Sequence, residues 1–281
     1  RAARFDQDFA SIRASGANTI VGWSETEFDD LLMQKANEHG LGVILPFQLG
    51  PAYVNSGPDY QYEDPRVRQQ LMDAISQRVE HFRNDPALRM WGLGNEVIHA
   101  IAWAHGTPAH SQAFANFLIE AADRVHTLDP NHPVVYRDAE DWYVQPVIRA
   151  LAANPKPRPW FVYSMNFFTV RLQQALDSGP AATMNQPLMV SEFGPVGLRP
   201  EARPGGYATL WGIIRGHSDR ALGGCAYVWT TAGPEPLDRS FGLTDVTGRA
   251  VDGSLAELTT LFRATQRHDL ARDSSAAVLS S

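Results

Sequence analysis

The feature that most constrains this 281-residue chain is a regular alternation of short apolar runs with stretches of helical period. Residues 5–15 place Phe5, Phe9 and Ile12 at i, i+4 and i+7, one face of a helix. The β-branched run 18–23 follows. Ser24 and Glu27 have capping-box spacing ahead of a helix carrying Phe28, Leu31 and Leu32. The apolar run 41–47 reads as the next strand. Asp64 before Pro65 predicts an N-cap with proline at N1, and Val67, Leu71, Ile75, Val79 and Phe82 form the stripe of a long helix. Strands at 88–94, 133–136, 160–165, 187–191 and 223–230 then alternate with helical periods, the last of them at 254–262.

Seven strands and eight helices in alternation imply parallel βαβ units. No internal repeat or low-complexity linker divides the chain, so one domain is expected. The chain opens and closes in a helix. The expected architecture is α/β: a (β/α)8 TIM barrel over residues 1–265, its first strand lying before residue 1 in a longer polypeptide with further domains, and a polar tail at 266–281. The length suits a barrel of about 250 residues. A doubly wound open sheet is the alternative.

Charge and cysteine usage narrow the function. With 24 basic and 31 acidic residues the formal charge is −7, which argues against nucleic-acid or anionic-membrane partners and suits a neutral substrate. No apolar run approaches the ~20 residues of a spanning helix. Cys225 is alone and cannot close an intrachain disulfide, so secreted, periplasmic and membrane-associated settings all stay open. Gly92 and Gly94 begin a dinucleotide fingerprint whose third glycine is Val97. His99, His105 and His110, in a loop after residue 96, match no zinc spacing, so neither metal nor cofactor is expected.

Two glutamates carry the chemistry. Glu96 follows the strand run Met90 to Asn95, and Glu192 follows Leu188 to Ser191 and precedes Phe193-Gly194. An acid at the C-terminal end of a barrel strand stands at the open face where barrel active sites are built. Two carboxylates facing each other there can act as proton donor and nucleophile on a glycosidic bond. Taken singly, each could instead cap a helix.

These residues resemble clan A of the glycoside hydrolases, the retaining (β/α)8 enzymes. Asn95-Glu96 is similar to the clan's fourth-strand motif and Ser191-Glu192-Phe193-Gly194 to its seventh. Gly16-Ala-Asn-Thr-Ile20, Asn131 to Tyr136 and Phe241 to Gly248 extend the resemblance over most of the chain. Families 2, 5 and 72, the last being β-1,3-glucanosyltransferases, are the similar members. The resemblance implies that Glu96 is the general acid/base and Glu192 the nucleophile, their carboxyls ~5–5.5 Å apart. It implies that Asn95 binds the sugar 2-hydroxyl and that Trp229, ending the last strand, is the sugar platform. Trp91 or Trp103 could wall Glu96 and help it hold its proton. Asn166, Tyr163, Gln48, Trp23, Tyr136 and Trp103 complete the expected substrate-lining set. Phe47, Tyr53, Tyr60, Tyr62, Trp142 and Tyr143 add aromatic density to the open-face loops, as a glycan cleft requires.

The sequence departs from the pattern twice. Val21 stands where the clan has a second-strand arginine, and Phe168 where many members have tyrosine; Arg137, Tyr163 or Gln48 could compensate around Glu192. The expected activity is that of a retaining glycosidase or transglycosylase on a β-glucan or related glycan, the partner being an oligo- or polysaccharide. The alternative is a carbohydrate-binding barrel with weak or lost catalysis.

Overall fold

The computed structural model describes residues 1–22, 25–49, 62–231 and 238–279, with 238–239 and 270–279 as backbone only. The order is α1 (Ala2–Ala14), β1 (Thr19–Val21), α2 (Asp29–Glu38), β2 (Gly42–Phe47), α3 (Pro65–Phe82), β3 (Leu88–Asn95), α4 (Val97–Trp103) and α5 (Pro108–Leu128). It continues with β4 (Val134–Ala139), α6 (Gln145–Ala153), β5 (Phe161–Phe167), α7 (Leu172–Ser178), β6 (Leu188–Phe193), α8 (Arg203–Gly216), β7 (Ala221–Ala226), α9 (Asp238–Phe241) and α10 (Ser254–Leu279). Among the described residues the seven strands are parallel and each pairs with the next in sequence, so the sheet order is β1 to β7. This is the expected barrel, nearly closed.

Because the strands are buried on both faces, alternate side chains enter two separate cores. Ile44, Val135, Val162 and Met189 fill the barrel interior, with Val21, Met90 and Cys225 against them. The other parity, including Leu45, Trp91, Tyr136, Tyr163, Val190 and Phe193, packs outward against the helices. Val21 is thus an interior filler where the resemblance implied an arginine. Cys225 is a packing residue as well: burial pushes its thiol up to about 12, which keeps it protonated and inert.

A cavity of about 1000 Å³ is lined by residues of both β7 and β1. Phe9, Ile12, Leu258 and Phe262 wall it from the helices, and it reaches inward to Glu192 and Trp229. Among the described residues, β1 and β7 are each strand-paired on one side only.

Local signals behave unevenly. Asp64 caps α3 as expected, its carboxylate accepting from Arg66 N at 2.8 Å with Pro65 in the first turn. Of the box expected from Ser24 and Glu27, Ser24 lies outside the described residues; α2 starts after Phe28, and Thr26 N and Oγ1 donate to the Asp29 carboxylate at its first position at 3.2 and 2.9 Å. The segment expected as a loop after Glu96 forms α4. The expected tail from residue 266 continues α10 to Leu279, because 254–279 contains alanine, leucine and charged residues but neither glycine nor proline to stop a helix.

Candidate active site

Strands β3 and β6 deliver the two glutamates to one end of the barrel. Glu96 follows the last residue of β3 in a left-handed backbone conformation, φ 50° and ψ 31°, and is the N-cap of α4. A non-glycine residue held there costs roughly 1–3 kcal/mol and persists only where its surroundings fix it. Here they do: Glu96 N donates to Arg137 O at 2.8 Å, and Glu96 O accepts from Ala100 N at 2.8 Å. Gly94, at φ 75°, completes the turn. Glu192 lies within β6, 8% exposed, directly before the tight passage of Gly194. A Cβ at Gly194 would stand 2.8 Å from both Tyr227 O and the Phe241 ring, so glycine is required after Glu192-Phe193.

Asn166 joins the two sides. Its Cα is the register partner of Glu192, and its Nδ2 donates to Glu96 Oε1 at 2.8 Å and to Asn95 Oδ1 at 3.2 Å. Its Oδ1 accepts from Ser191 Oγ at 2.7 Å, and Ser191 Oγ lies 2.7 Å from Ser164 Oγ. One buried amide therefore orients the Asn95-Glu96 pair and ties it to the strand that carries Glu192. Both polar atoms of the Asn166 amide are thereby committed, as a buried polar group demands.

Arg137 is 1% exposed and lies with the interior parity of β4. Its Nη1 donates to Gly22 O at 2.9 Å across the barrel and its Nε to Gly94 O at 3.4 Å. Burial pulls the guanidinium below its ordinary value, while Glu192, Cys225 and Glu96 act in the opposite direction, Glu192 most strongly. A buried cation therefore sits within electrostatic reach of both glutamates, on a strand other than the one the resemblance implied.

Behind the sheet lies a second polar cluster. Asp138 is completely buried and accepts from Tyr163 Oη at 2.8 Å, Ala139 N at 3.0 Å and Tyr136 Oη at 3.4 Å. Burial raises its carboxyl to about 7 against these bonds, and the Glu96 charge adds to the rise. Tyr136 Oη in turn accepts from Ile98 N in α4 at 3.4 Å. The cluster braces the helix that begins at Glu96.

The expected substrate-lining residues divide accordingly. Tyr136 and Tyr163 are 0% exposed and face the helices, so their expected contact with substrate is corrected to a supporting role through Asp138. Trp91 is no wall for Glu96 either, since it is buried outside the sheet with Nε1 on Asp129 at 2.8 Å. Phe47 and Tyr62 are core residues. Trp229 lines the cavity that Glu192 borders, and its indole Nε1 is buried without a hydrogen-bond partner among the described residues. Gln48 lies just beyond β2, its N–H donating to Glu25 Oε1 at 2.8 Å. Trp103 is 63% exposed at the end of α4. Trp23, Tyr53 and Tyr60 fall outside the described residues. Phe168 packs with Tyr227 and Phe241 at ring distances of 5.7 and 5.1 Å, which seats it beside Gly194. Sequence reasoning assigned Asp138 no role; an acid directly after the strand run Val134 to Arg137 was the available signal.

Comparisons with known proteins agree with this architecture. The sequence model of the TIM barrel domain of glycosyl hydrolases family 2 matches residues 6–221. A mannan endo-1,4-beta-mannosidase F of Aspergillus clavatus is 25% identical over 133 residues, which is 43% of this chain and 29% of that protein. Among solved structures, the exo-beta-1,4-mannosidase Op5Man5 of an Opitutaceae bacterium superposes with a TM-score of 0.68 at 16% identity, over 95% of this chain and 56% of its own. The Bacteroides uniformis beta-glucuronidase gives 0.69 at 13% identity, over 92% of this chain and 32% of its own. The GH2 beta-galacturonidase of Eisenbergiella tayi gives 0.66 at 16% identity, over 93% and 47%. At such identities the likeness is one of fold. The chain spans between about a third and just over half of the length of these relatives.

Proposed function

The chain belongs to glycosyl hydrolase family 2 through its TIM barrel domain, and from that premise we propose that it cleaves β-glycosidic bonds by a retaining, two-carboxylate double displacement. The observation that carries the proposal is the Asn166 amide, bonded to Glu96 and in register with Glu192. It supports a pair of carboxylates held on opposite sides of a single bond.

In this reading Glu96 protonates the leaving oxygen while Glu192 attacks the anomeric carbon, forming a glycosyl-enzyme. Glu96 then takes a proton from water or a sugar hydroxyl as that oxygen attacks and releases Glu192. Arg137 holds positive charge beside Glu192 and favours its ionised, nucleophilic form. Asn95, its Oδ1 occupied by Asn166, turns its amide N–H to the sugar 2-hydroxyl. Trp229 offers its indole face to the C–H face of the ring. The substrate we propose is a neutral β-linked oligosaccharide, with β-glucan and β-mannan the polymers to compare. Hydrolysis and transfer differ only in the acceptor.

Glu96→Gln and Glu192→Gln should each lower turnover of β-linked oligosaccharides by about 10²-fold or more. Proton NMR of the first product should show the β-anomer. An α-anomer, or either variant retaining near-normal turnover, would contradict the assignment.

A further inference from the structure

We propose that Ser191 is a positioning residue for Glu96. Its hydroxyl fixes the orientation of the Asn166 amide, and through that amide it assigns the two oxygens of Glu96: Oε1 accepts a hydrogen bond throughout, and Oε2 carries the proton that reaches the glycosidic oxygen. The inference rests on Glu96 being the acid/base.

Ser191 is placed by a change of register. Along β5 and β6 the pairs run Ser164 with Met189, Met165 with Val190, then Asn166 with Glu192. Ser191 is thus the extra residue on β6, passed over by the ladder as in a bulge, a device that re-aims a side chain beside a site. Its hydroxyl meets Ser164 on the interior face of the barrel. Val135, Val162 and Met189 form the apolar layer of that interior. Two residues further along, the same three strands carry Arg137, Ser164 and Ser191, all buried.

Counting hydrogens gives each bond its direction. A serine hydroxyl has one hydrogen; an amide has two on nitrogen and none on oxygen. Ser191 gives its hydrogen to Asn166 Oδ1 at 2.7 Å. Its oxygen then accepts from Ser164 Oγ, also at 2.7 Å. With Oδ1 so occupied, the Asn166 Nδ2 hydrogens point the other way, to Glu96 Oε1 at 2.8 Å and Asn95 Oδ1 at 3.2 Å. Without the serine hydrogen, Oδ1 is a buried acceptor left bare, which is costly. Turning the amide over recovers a bond, because Oδ1 then accepts a proton held on Glu96 Oε1, away from the substrate.

The observed orientation prevents this. A hydrogen already aimed at Oε1 leaves Oε2 as the oxygen for the acid's own proton. As the bond between anomeric carbon and glycosidic oxygen breaks, its electron pair stays on that oxygen, and Oε2 passes it the proton. In the second step Oε2 takes a proton from the attacking water or sugar hydroxyl. Oε1 keeps its bond to Asn166 through both steps, so the amide holds the carboxyl without competing for the proton.

The test separates this role from damage to the fold or to the adjoining Glu192. Such damage lowers every substrate alike, whereas a misplaced acid proton spares a leaving group that needs no acid. The parent, Ser191→Ala and Ser191→Thr are compared on 2,4-dinitrophenyl β-mannoside and β-glucoside, and on β-1,4-mannohexaose and cellohexaose. The ratio of kcat/KM on hexaose to that on aryl glycoside should fall about tenfold or more in Ser191→Ala, and Ser191→Thr should recover most of it. In an Asn166→Ala background the same substitution should change the ratio by less than about twofold. A ratio unchanged in Ser191→Ala, or an equal fall in both backgrounds, overturns the proposal. A second arm needs no turnover: with asparagine labelled by 15N, the Asn166 side-chain amide is identified by its loss in Asn166→Ala. Its hydrogen exchange should be slow in the parent and Ser191→Thr, and about tenfold or more faster in Ser191→Ala. Equal exchange in the parent and Ser191→Ala overturns the positioning. Should the parent turn over no glycoside while the exchange rates differ as expected, the hydrogen-bond assignment stands and the catalytic reading falls.

Discussion

Arg137 places a buried cation on β4, where the resemblance implied one on an earlier strand. Its guanidinium bonds Gly22 O and Gly94 O and feels Glu192 and Glu96 at once, so one buried cation serves both carboxylates. Replacing it with methionine removes the charge and keeps much of the volume. Turnover should fall about 10²-fold, the scale of losing one preorganised electrostatic partner, and Arg137→Lys should recover part of it. Turnover within about threefold of the parent would contradict the role.

Asp138 makes a prediction of opposite character. Its carboxyl is raised to about 7 in the fold, against about 3.9 in an unfolded chain. Between those values the folded state holds a proton that the unfolded state has lost, so stability falls as pH rises through this window and levels off above it. Asp138→Asn has no such titration. The stability advantage of the parent over the variant should therefore shrink by on the order of 4 kcal/mol between pH 4 and pH 8, measured by urea unfolding. A difference independent of pH would contradict it. At this scale the glutamates were legible in the sequence because each ends an apolar strand run. Tyr136 and Tyr163 were not, because a strand buried on both faces gives no sign of which parity faces the cleft.

At the scale of elements, the alternation made every described strand legible and left the ends uncertain. β4 and β6 run on past the apolar residues that announced them, through Arg137-Asp138 and Glu192; in β4, hydrogen bonds satisfy Arg137 on the interior face and Asp138 behind the sheet. α4 was hidden by its seven-residue length and by the left-handed turn at Glu96. The helices are also held by charge. Arg158, 2% exposed, bonds the Asp123 carboxylate of α5 through two nitrogens at 2.8 and 2.9 Å and Asn154 O at 2.9 Å. It joins the α6–β5 connection to α5. Arg158→Ala leaves Asp123 with only the half-exposed Lys156 and should destabilise the fold by about 3–5 kcal/mol, read from the urea midpoint. A loss below about 1 kcal/mol would show that solvent replaces the pair.

For the molecule as a whole, alternation and length pointed to the barrel, and the strand ends pointed to the chemistry. What the sequence could not convey was the join between the two halves of the site, because Asn166, Ser191 and Arg137 meet only after β3 to β6 are in register. The formal charge of −7 is consistent with an uncharged glycan as substrate. In the proposed mechanism the barrel works through a covalent intermediate on Glu192. The most direct measurement incubates the protein with a 2-deoxy-2-fluoro-β-glycosyl fluoride, digests it and maps the peptides by mass. One glycosyl label is expected on Glu192, formed in Glu96→Gln as well because fluoride leaves without an acid. A label on Glu96 or elsewhere, or no label on an enzyme that still turns over β-glycosides, would contradict it.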